Sequence, residues 1–183
     1  MSDANSDDDS PPQIERRDFL FVSTGMMAAV GTAVAVWPFI DAMNPSADVQ
    51  ALATTEVDLE PIAAGQRITV IWRSQPVFIE RRTPEQVAQA KADDDSPDLI
   101  DPATDASRVK SEEWLVVVGV CTHLGCVPLG QREGDERGEW GGWFCPCHGS
   151  HYDTSGRIRR GPAPRNLVVP PYELRDDGTV LIG

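Results

Sequence analysis

The side chains best suited to chemistry in this sequence are cysteine and histidine, and they are crowded into one stretch. All four cysteines and all three histidines lie between Cys121 and His151. They form two short clusters, C-T-H-L-G-C starting at Cys121 and C-P-C-H-G-S starting at Cys145. Thiolates and imidazoles at such short spacing are typical of a transition-metal or iron–sulfur site. The sequence therefore predicts one metal centre supplied by two short segments.

Each cluster offers one cysteine and one histidine, in the patterns Cys121-x-His123 and Cys145-x-x-His148. Two thiolates and two imidazoles can hold one tetrahedral zinc ion, or a [2Fe–2S] cluster with both cysteines on one iron and both histidines on the other. Zinc fingers use cysteine pairs and histidine pairs, whereas each segment here is mixed. The mixed pattern favours the two-iron cluster, and a structural zinc module without redox activity is the alternative.

Both clusters closely resemble the cluster-binding boxes of Rieske iron–sulfur proteins, and more narrowly those of the Rieske subunit of bacterial cytochrome bc complexes, the quinol–cytochrome c oxidoreductases. The similarity also includes the string G-W-F-C-P-C-H-G-S-H-Y-D, the later G-P-A-P, and M-N-P-S-A-D after an apolar run. The resemblance implies one [2Fe–2S] cluster as the cofactor. It places Cys121 and Cys145 on an inner iron, and His123 and His148 on an outer, reducible iron.

The resemblance assigns roles to further residues around these ligands. Cys126 and Cys147 are implied to form a disulfide between the two ligand loops, although two free buried thiols are the plainer alternative. Ser150 is implied to donate to a bridging sulfide and Tyr152 to the Cys121 sulfur, which would raise the reduction potential. An apolar docking rim is implied at Leu124, Gly161, Pro162, Ala163 and Pro164. His151 is expected to be a surface or hydrogen-bonding residue and not a ligand.

The implied activity is that of an electron-carrier subunit of quinol–cytochrome c reductase, which contributes to the proton-motive force. His148 is expected to act as the catalytic ligand that meets the quinol and takes its proton, because reduction of a bound iron raises the pKa of the free ring nitrogen. The implied partners are cytochrome b, a membrane-anchored c-type cytochrome and ubiquinol, in a dimeric complex. The alternatives are a Rieske subunit of a periplasmic oxidase of the arsenite oxidase type, and a plastoquinol-oxidising b6f-type complex.

The N-terminal part of the chain predicts export and membrane anchoring. Residues 1–18 are polar and acidic, and the adjacent Arg16 and Arg17 precede an apolar run, as in twin-arginine signals. Residues 19–40 carry no charge and are long enough for a transmembrane helix, so an uncleaved anchor is favoured over a cleaved signal. The position of these arginines predicts a cytoplasmic N-terminus and a periplasmic body, anchored by a single pass in a bacterial inner membrane and its lipid bilayer.

The remainder predicts a mainly β fold, with a flexible tether at 41–55 and a Rieske-type antiparallel β-sandwich head at 56–183. Within this head, a small cluster-binding subdomain is expected at about 119–165. One helix is predicted at Pro84–Ala92, followed by an acidic surface loop at 93–105 within a loosely constrained region, 84–113. Strands are predicted at Thr55–Leu59, Gln66–Trp72, Pro76–Arg81, Trp114–Val120, Glu139–Phe144, Arg157–Arg160, Asn166–Val169 and Thr179–Ile182. The net charge of −13 argues against nucleic-acid binding.

Overall fold

A computed structural model of the chain describes residues 16–44 and 53–183. The chain divides into two compact units, 1–47 and 48–183. In the described part of the first unit, helix α1 runs over Arg16–Asp41, with the twin arginines in its first turn. It is long and apolar enough to cross a membrane, and none of its residues is buried. Most of the predicted tether, 45–52, and the polar segment 1–15 lie outside the described residues.

The described residues of the second unit, 53–183, form nine strands in three antiparallel sheets of three strands each. One sheet has the order β1-β9-β8, another β2-β3-β4 and the last β5-β6-β7. A two-residue turn at Arg73 and Ser74, both with positive φ, joins β2 to β3, as expected for a tight hairpin. The strand bounds are β1 Thr55–Asp58, β2 Arg67–Trp72, β3 Gln75–Arg81, β4 Trp114–Val118, β5 Gly141–Cys145, β6 Ser150–Asp153, β7 Ile158–Arg160, β8 Tyr172–Leu174 and β9 Thr179–Ile182.

Strands β3 and β4 are buried on both faces of their sheet. Successive side chains of a strand point to opposite sides, so each strand contributes to two cores. Val77, Ile79, Val116 and Val118 join a core with residues of β8 and β9. The intervening Phe78, Leu115 and Val117 join a second core, which contains side chains from the sheet β5-β6-β7 and two of the cysteines. This double burial explains the uninterrupted apolar run of β4. The sheet β5-β6-β7 thus packs against buried side chains of β3 and β4.

One predicted strand is not a strand in the structure, and two strands of the structure are not predicted from the sequence. Asn166–Val169 is not a strand, although Val168 accepts one backbone hydrogen bond from Val118 at 2.7 Å. Prolines at 164 and 170 flank this stretch, and proline cannot donate to a ladder. Conversely, the strands β6 and β8 were not predicted. The residues of β6, S-H-Y-D, lack an apolar pattern, yet all four are buried because β6 pairs with both β5 and β7.

The predicted helix is present as α2, Pro84–Ala92. Thr83 and Gln86 form a reciprocal capping box at its start, with a backbone-to-side-chain bond in each direction at 3.3 and 2.8 Å. Pro84 occupies the first turn, where a missing N–H costs nothing. The local sequence therefore determines where this helix begins.

The acidic segment 93–105 lies mostly at the surface, as expected, but charged side chains bind it firmly to the head, so it is not loosely constrained. Asp105 begins a short 3-10 turn over Asp105–Ser107 and is fully buried. Its carboxylate accepts hydrogen bonds from both terminal nitrogens of Arg82, at 2.6 and 3.1 Å. The Ser155 hydroxyl also donates to it at 2.6 Å. Burial alone would raise the pKa of Asp105, but the bonds from Arg82 and Ser155 outweigh that effect and hold the pKa below its usual value.

Two arginines, one just before β7 and one within it, bind the same acidic segment. Arg157 is fully buried and donates to Asp153 at 2.8 Å, to Asp94 at 2.6 Å and to the carbonyl of Ala90 at 2.8 Å. Arg159 donates to Asp93 at 2.8 Å. Buried charges are tolerated when they are paired and hydrogen-bonded in this way. The segment 84–113 is therefore an integral part of the head.

Candidate metal centre

The first ligand loop follows β4 and closes on itself. The Cys121 N–H donates to the carbonyl of Cys126 at 2.8 Å, and the Gly125 N–H donates to the carbonyl of Cys121 at 3.0 Å. Gly125 has a φ of 83°, which favours glycine at this turn. The loop thus holds Cys121 and His123 on a short, internally bonded turn at the end of a core strand.

The second ligand loop connects β5 to β6. Cys145 is the last residue of β5 and pairs with Ser150, the first residue of β6. The Gly149 N–H donates to the carbonyl of Cys145 at 2.9 Å, with Gly149 in the left-handed region at a φ of 74°. Cys147 and His148 therefore lie at the tip of a tight hairpin, where both are exposed.

Cys121 and Cys145 lie together at the base of the two loops, each 2% exposed. Burial, together with the neighbouring Cys121 thiol, raises the pKa of Cys145 to about 12. The free thiol is thus protonated at neutral pH, and a metal that binds it must displace the proton. Two adjacent buried thiols offer a sulfur pair of the kind that one iron of a [2Fe–2S] cluster requires.

His123 and His148 also lie together, with their ring centroids 4.6 Å apart and their planes at 85°. The Nδ1 atom of His123 is buried and has no hydrogen-bond partner among the described residues. An unpaired buried polar atom is costly unless something else binds it, and a metal ion would do so. The paired thiols, the paired imidazoles and this unpaired nitrogen fit the mixed donor set of a [2Fe–2S] cluster.

Cys126 and Cys147 are not bonded to each other in the structure. Their sulfur atoms and that of Cys145 all lie within 4.8 Å of one another. These three thiols could hold a metal by themselves, but that arrangement would leave the buried Cys121 thiol and His123 Nδ1 without a function. The disulfide between Cys126 and Cys147 stays a prediction.

Two hydroxyl groups border the site from β6. The fully buried Tyr152 donates to the Cys121 sulfur at 3.3 Å, and its oxygen accepts the Thr122 N–H at 3.3 Å. The Ser150 oxygen accepts the Ala163 N–H at 3.2 Å, which leaves its own proton for another acceptor. The contact expected between Tyr152 and Cys121 is present, while the effect of both hydroxyls on the potential stays a prediction.

The expected rim residues lie at the surface beside these loops. Leu124 is 70% exposed, and Gly161, Pro162 and Pro164 are exposed as well. Ala163 is instead buried at 1% in the second core, and its N–H donates to Ser150. Gly161 has a φ of 110°, and a Cβ there would lie 2.5 Å from the Ser150 Cα, so the second ligand loop requires glycine at this position.

His151 was expected to be a surface or hydrogen-bonding residue, and the structure agrees with the second option, since His151 is 6% exposed and accepts a hydrogen bond. Its Nδ1 accepts the Glu139 N–H at 3.3 Å, and its ring packs against Phe144 and Trp140, with centroids 4.8 and 5.9 Å away. The alternating pattern of β6 places it on the face opposite Ser150 and Tyr152. It therefore packs on the face of the sheet that points away from the second core.

Arg67 is a supporting residue that sequence reasoning missed. It is 7% exposed and donates to the carbonyls of Gly130 and Gly142 at 2.8 and 2.7 Å. Its guanidinium lies 4.3 Å from the ring centroid of Trp143 and 2.8 Å from Glu80 on the adjacent strand. Burial lowers the pKa of Arg67, and the Glu80 charge offsets part of that effect. Nothing in the local pattern of β2 distinguishes it from a surface arginine.

Comparisons with known proteins cover nearly the whole chain. The family profile "Ubiquitinol-cytochrome C reductase Fe-S subunit TAT signal" matches residues 5–46, and the profile "Rieske [2Fe-2S] domain" matches residues 58–173. The ubiquinol-cytochrome c reductase iron-sulfur subunit of Rhodospirillum rubrum is 62% identical over 92% of this chain and 91% of its own length. That of Rickettsia felis is 54% identical over the full length of both.

A solved structure agrees with these relatives. A chain of the "Hyperthermophilic respiratory Complex III" is 27% identical, with a TM-score of 0.50, and the match covers 87% of this chain and 97% of that one. The β head with its paired thiol and imidazole loops is thus a Rieske [2Fe–2S] domain. The chain as a whole belongs to the Rieske iron–sulfur subunits of ubiquinol–cytochrome c reductase, an oxidoreductase complex.

Family membership confirms the predicted fold class, cofactor and class of activity. It does not favour the zinc module or the arsenite-oxidase type of subunit. The apolar helix α1 and the matched twin-arginine signal region fit a membrane-anchored respiratory subunit.

Proposed function

We propose that Cys121 and Cys145 bind one iron of the cluster and that His123 and His148 bind the other. The observation that carries this assignment is the pairing within the site: two buried thiols lie together, and two imidazoles lie together at 4.6 Å. The buried, unpaired Nδ1 of His123 supports it further. When bound, a [2Fe–2S] cluster takes up and releases one electron at a time.

His148 is the ligand that meets the quinol. It is exposed at the tip of the second loop, whereas His123 is half-buried. A metal-bound imidazole keeps one ring nitrogen free, and at an exposed position this nitrogen can hydrogen-bond a quinol hydroxyl and accept its proton. The exposed Leu124, Pro162 and Pro164 beside it supply an apolar surface that suits a lipid-soluble substrate and a hydrophobic docking site.

The partners follow from this arrangement. The rim docks on cytochrome b at the site of ubiquinol oxidation, and the electron then passes to a membrane-anchored c-type cytochrome within a dimeric complex. Helix α1 anchors the subunit in the bilayer of the inner membrane. Arg16 and Arg17 at its start favour a cytoplasmic N-terminus and a periplasmic head. The tether allows the head to reach both partners in turn.

Cys126 and Cys147 join the two ligand loops by a disulfide. Their sulfur atoms are already neighbours, within 4.8 Å, and the oxidising periplasm permits the bond. The native protein should then react with no thiol reagent at these positions until it is reduced. Mass spectrometry of the peptides spanning the two loops distinguishes the bond from free thiols by two mass units.

The ligand set is tested by replacing histidines in the chain purified with its complex in detergent. His123→Ala and His148→Ala should each abolish the electron paramagnetic resonance signal of a Rieske cluster. The matched control is His151→Asn, which retains an acceptor for the Glu139 N–H and should keep the signal. A signal that survives His148→Ala, or protein that contains zinc and no iron, would contradict the assignment. Co-purification of b- and c-type haem proteins, and quinol-dependent cytochrome c reduction, test the partners.

A further inference from the structure

The peptide group between Arg165 and Asn166 is hydrogen-bonded at both ends. Its N–H, carried by Asn166, donates to Oδ2 of Asp101 at 3.0 Å. Its carbonyl, carried by Arg165, accepts from the Thr122 hydroxyl at 2.6 Å. Thr122 lies between Cys121 and His123, whereas Asp101 lies in the acidic segment. One peptide group therefore connects that segment to the first ligand loop.

The Asn166 side chain holds this peptide in a single orientation. Its amide nitrogen donates to the backbone carbonyl of Asp101 at 2.8 Å, and its amide oxygen accepts the Ile158 N–H of β7 at 2.9 Å. Asn166 is 7% exposed, so water does not compete effectively for these bonds. Asp101 thus binds both the backbone and the side chain of the same residue.

Thr122 connects this peptide group to the sulfur of Cys121 through Tyr152. Its N–H donates to the Tyr152 oxygen at 3.3 Å, and the Tyr152 hydroxyl donates to the Cys121 sulfur at 3.3 Å. A phenol oxygen has only one proton. The Thr122 N–H binds a lone pair of this oxygen, and the Tyr152 proton is donated to the Cys121 sulfur at 3.3 Å. The Thr122 hydroxyl lies 3.5 Å from the same oxygen but gives its own proton to the Arg165 carbonyl.

We propose that Asp101 is a positioning residue for the cluster, which acts through the Arg165–Asn166 peptide on Thr122 and, through Thr122, on the bond from Tyr152 to Cys121. A carboxylate that accepts the N–H of a peptide polarises that peptide and strengthens its carbonyl as an acceptor. The Thr122 hydroxyl is then held more firmly, and the first ligand loop keeps the geometry in which Tyr152 donates to sulfur. The inference rests on the proposed ligand set.

The sign of the change in potential separates this role from a simple charge effect. Removing a negative charge near the cluster would stabilise the reduced, more negative state and raise the midpoint potential. Weakening the bond from Tyr152 to the sulfur would destabilise the same state and lower the potential. The two effects of replacing Asp101 therefore have opposite directions.

The test is a redox titration of the cluster, followed by electron paramagnetic resonance, in the purified complex. Asp101→Ala should lower the midpoint potential by about 20–30 mV, a two- to threefold change in the ratio of oxidised to reduced cluster at a fixed potential. Asp101→Asn keeps an oxygen acceptor and should lower it less. The control Asp98→Ala removes an exposed carboxylate from the same segment and should not lower it. In a Thr122→Val background, Asp101→Ala should cause no further decrease.

A raised or unchanged potential in both Asp101 variants would overturn the proposal, as would a decrease that adds fully to that of Thr122→Val. If Asp101→Ala does not yield cluster-bearing protein, the midpoint potential of Asp101→Asn is the test. A lowered potential supports the proposal, and a raised or unchanged potential overturns it. Failure of the proposed ligand set would instead appear in the unmodified chain, as a missing Rieske signal. The two failures are therefore distinguishable.

Discussion

Replacing Tyr152 by phenylalanine isolates one hydrogen bond to the cluster. The substitution removes only the phenol oxygen, because Tyr152 is fully buried and its ring packs in the second core. The bond lost is the 3.3 Å donation to the Cys121 sulfur. The Thr122 N–H loses its acceptor as well, but this residue is only half-buried and water can replace the oxygen. The cluster should therefore remain bound in the variant.

The size of the expected effect follows from the charge on the sulfur. A hydrogen bond to a charged group contributes about 1.5–3 kcal/mol. Only the difference between the oxidised and reduced states changes the potential, and we take this as about half of the bond, or roughly 0.7–1.5 kcal/mol. Since 1.4 kcal/mol corresponds to about 59 mV for one electron, the midpoint potential should fall by about 30–60 mV.

The assay is a redox titration of wild type and variant, with iron content measured in parallel. Tyr172→Phe is the matched control. It removes a phenol oxygen that accepts the Lys110 N–H at 2.8 Å in the other core of the head, and it should leave the potential unchanged. If Tyr152→Phe kept the wild-type potential with a full complement of iron, the argument that this hydroxyl stabilises the reduced cluster would be refuted.

Three other predictions concern the head and its tether. Arg67→Met leaves Glu80 buried without its partner and should lower the free energy of unfolding by about 3–5 kcal/mol, whereas Arg73→Met in the exposed turn should change it little in thermal denaturation. The pKa of Asp105 is depressed in the folded state. The charged Asp105 therefore contributes its full stabilisation at pH values above the usual carboxyl pKa, and this stabilisation is lost as the pH falls through the depressed pKa. Asp105→Asn should therefore be less stable at pH 7 and should lose less stability on acidification, as measured by denaturant titrations. Prolines introduced between Ala42 and Ala53 should slow quinol turnover without changing the midpoint potential; normal turnover in such variants would contradict a moving head.

Local patterns in the sequence predicted several elements of the fold. The charge-free run at 19–40 predicted the helix α1, because a helix that crosses a bilayer must be apolar over its whole length. The helix predicted at Pro84–Ala92 is present with the same bounds, and the capping box of Thr83 and Gln86 explains where it begins. The β-branched run of β4 predicted the strand that leads into the first ligand loop. Each of these features is visible as a pattern within a contiguous stretch of the sequence.

Local sequence patterns did not predict the structure where a segment is stabilised by residues that are distant in the sequence. The polar strand β6 is buried only because it pairs with a strand on each side. Asn166–Val169 has strand composition, but it makes no ladder between its flanking prolines. The acidic run at 93–105 has the composition of a surface loop, yet its carboxylates are matched by arginines about 60 positions away, such as Arg157 with Asp94.

The sequence by itself determined the donor types, their order in two mixed boxes and the presence of an apolar anchor, because these properties reside in contiguous residues. Only the tertiary structure decided which charges support the site. Arg67 donates to the carbonyl of Gly130, which is 63 residues away in the sequence, and Asp101 accepts from Asn166, which is 65 residues away. A buried charge is stable only when the fold supplies its partner, and no pattern near Arg67 or Asp101 indicates that partner.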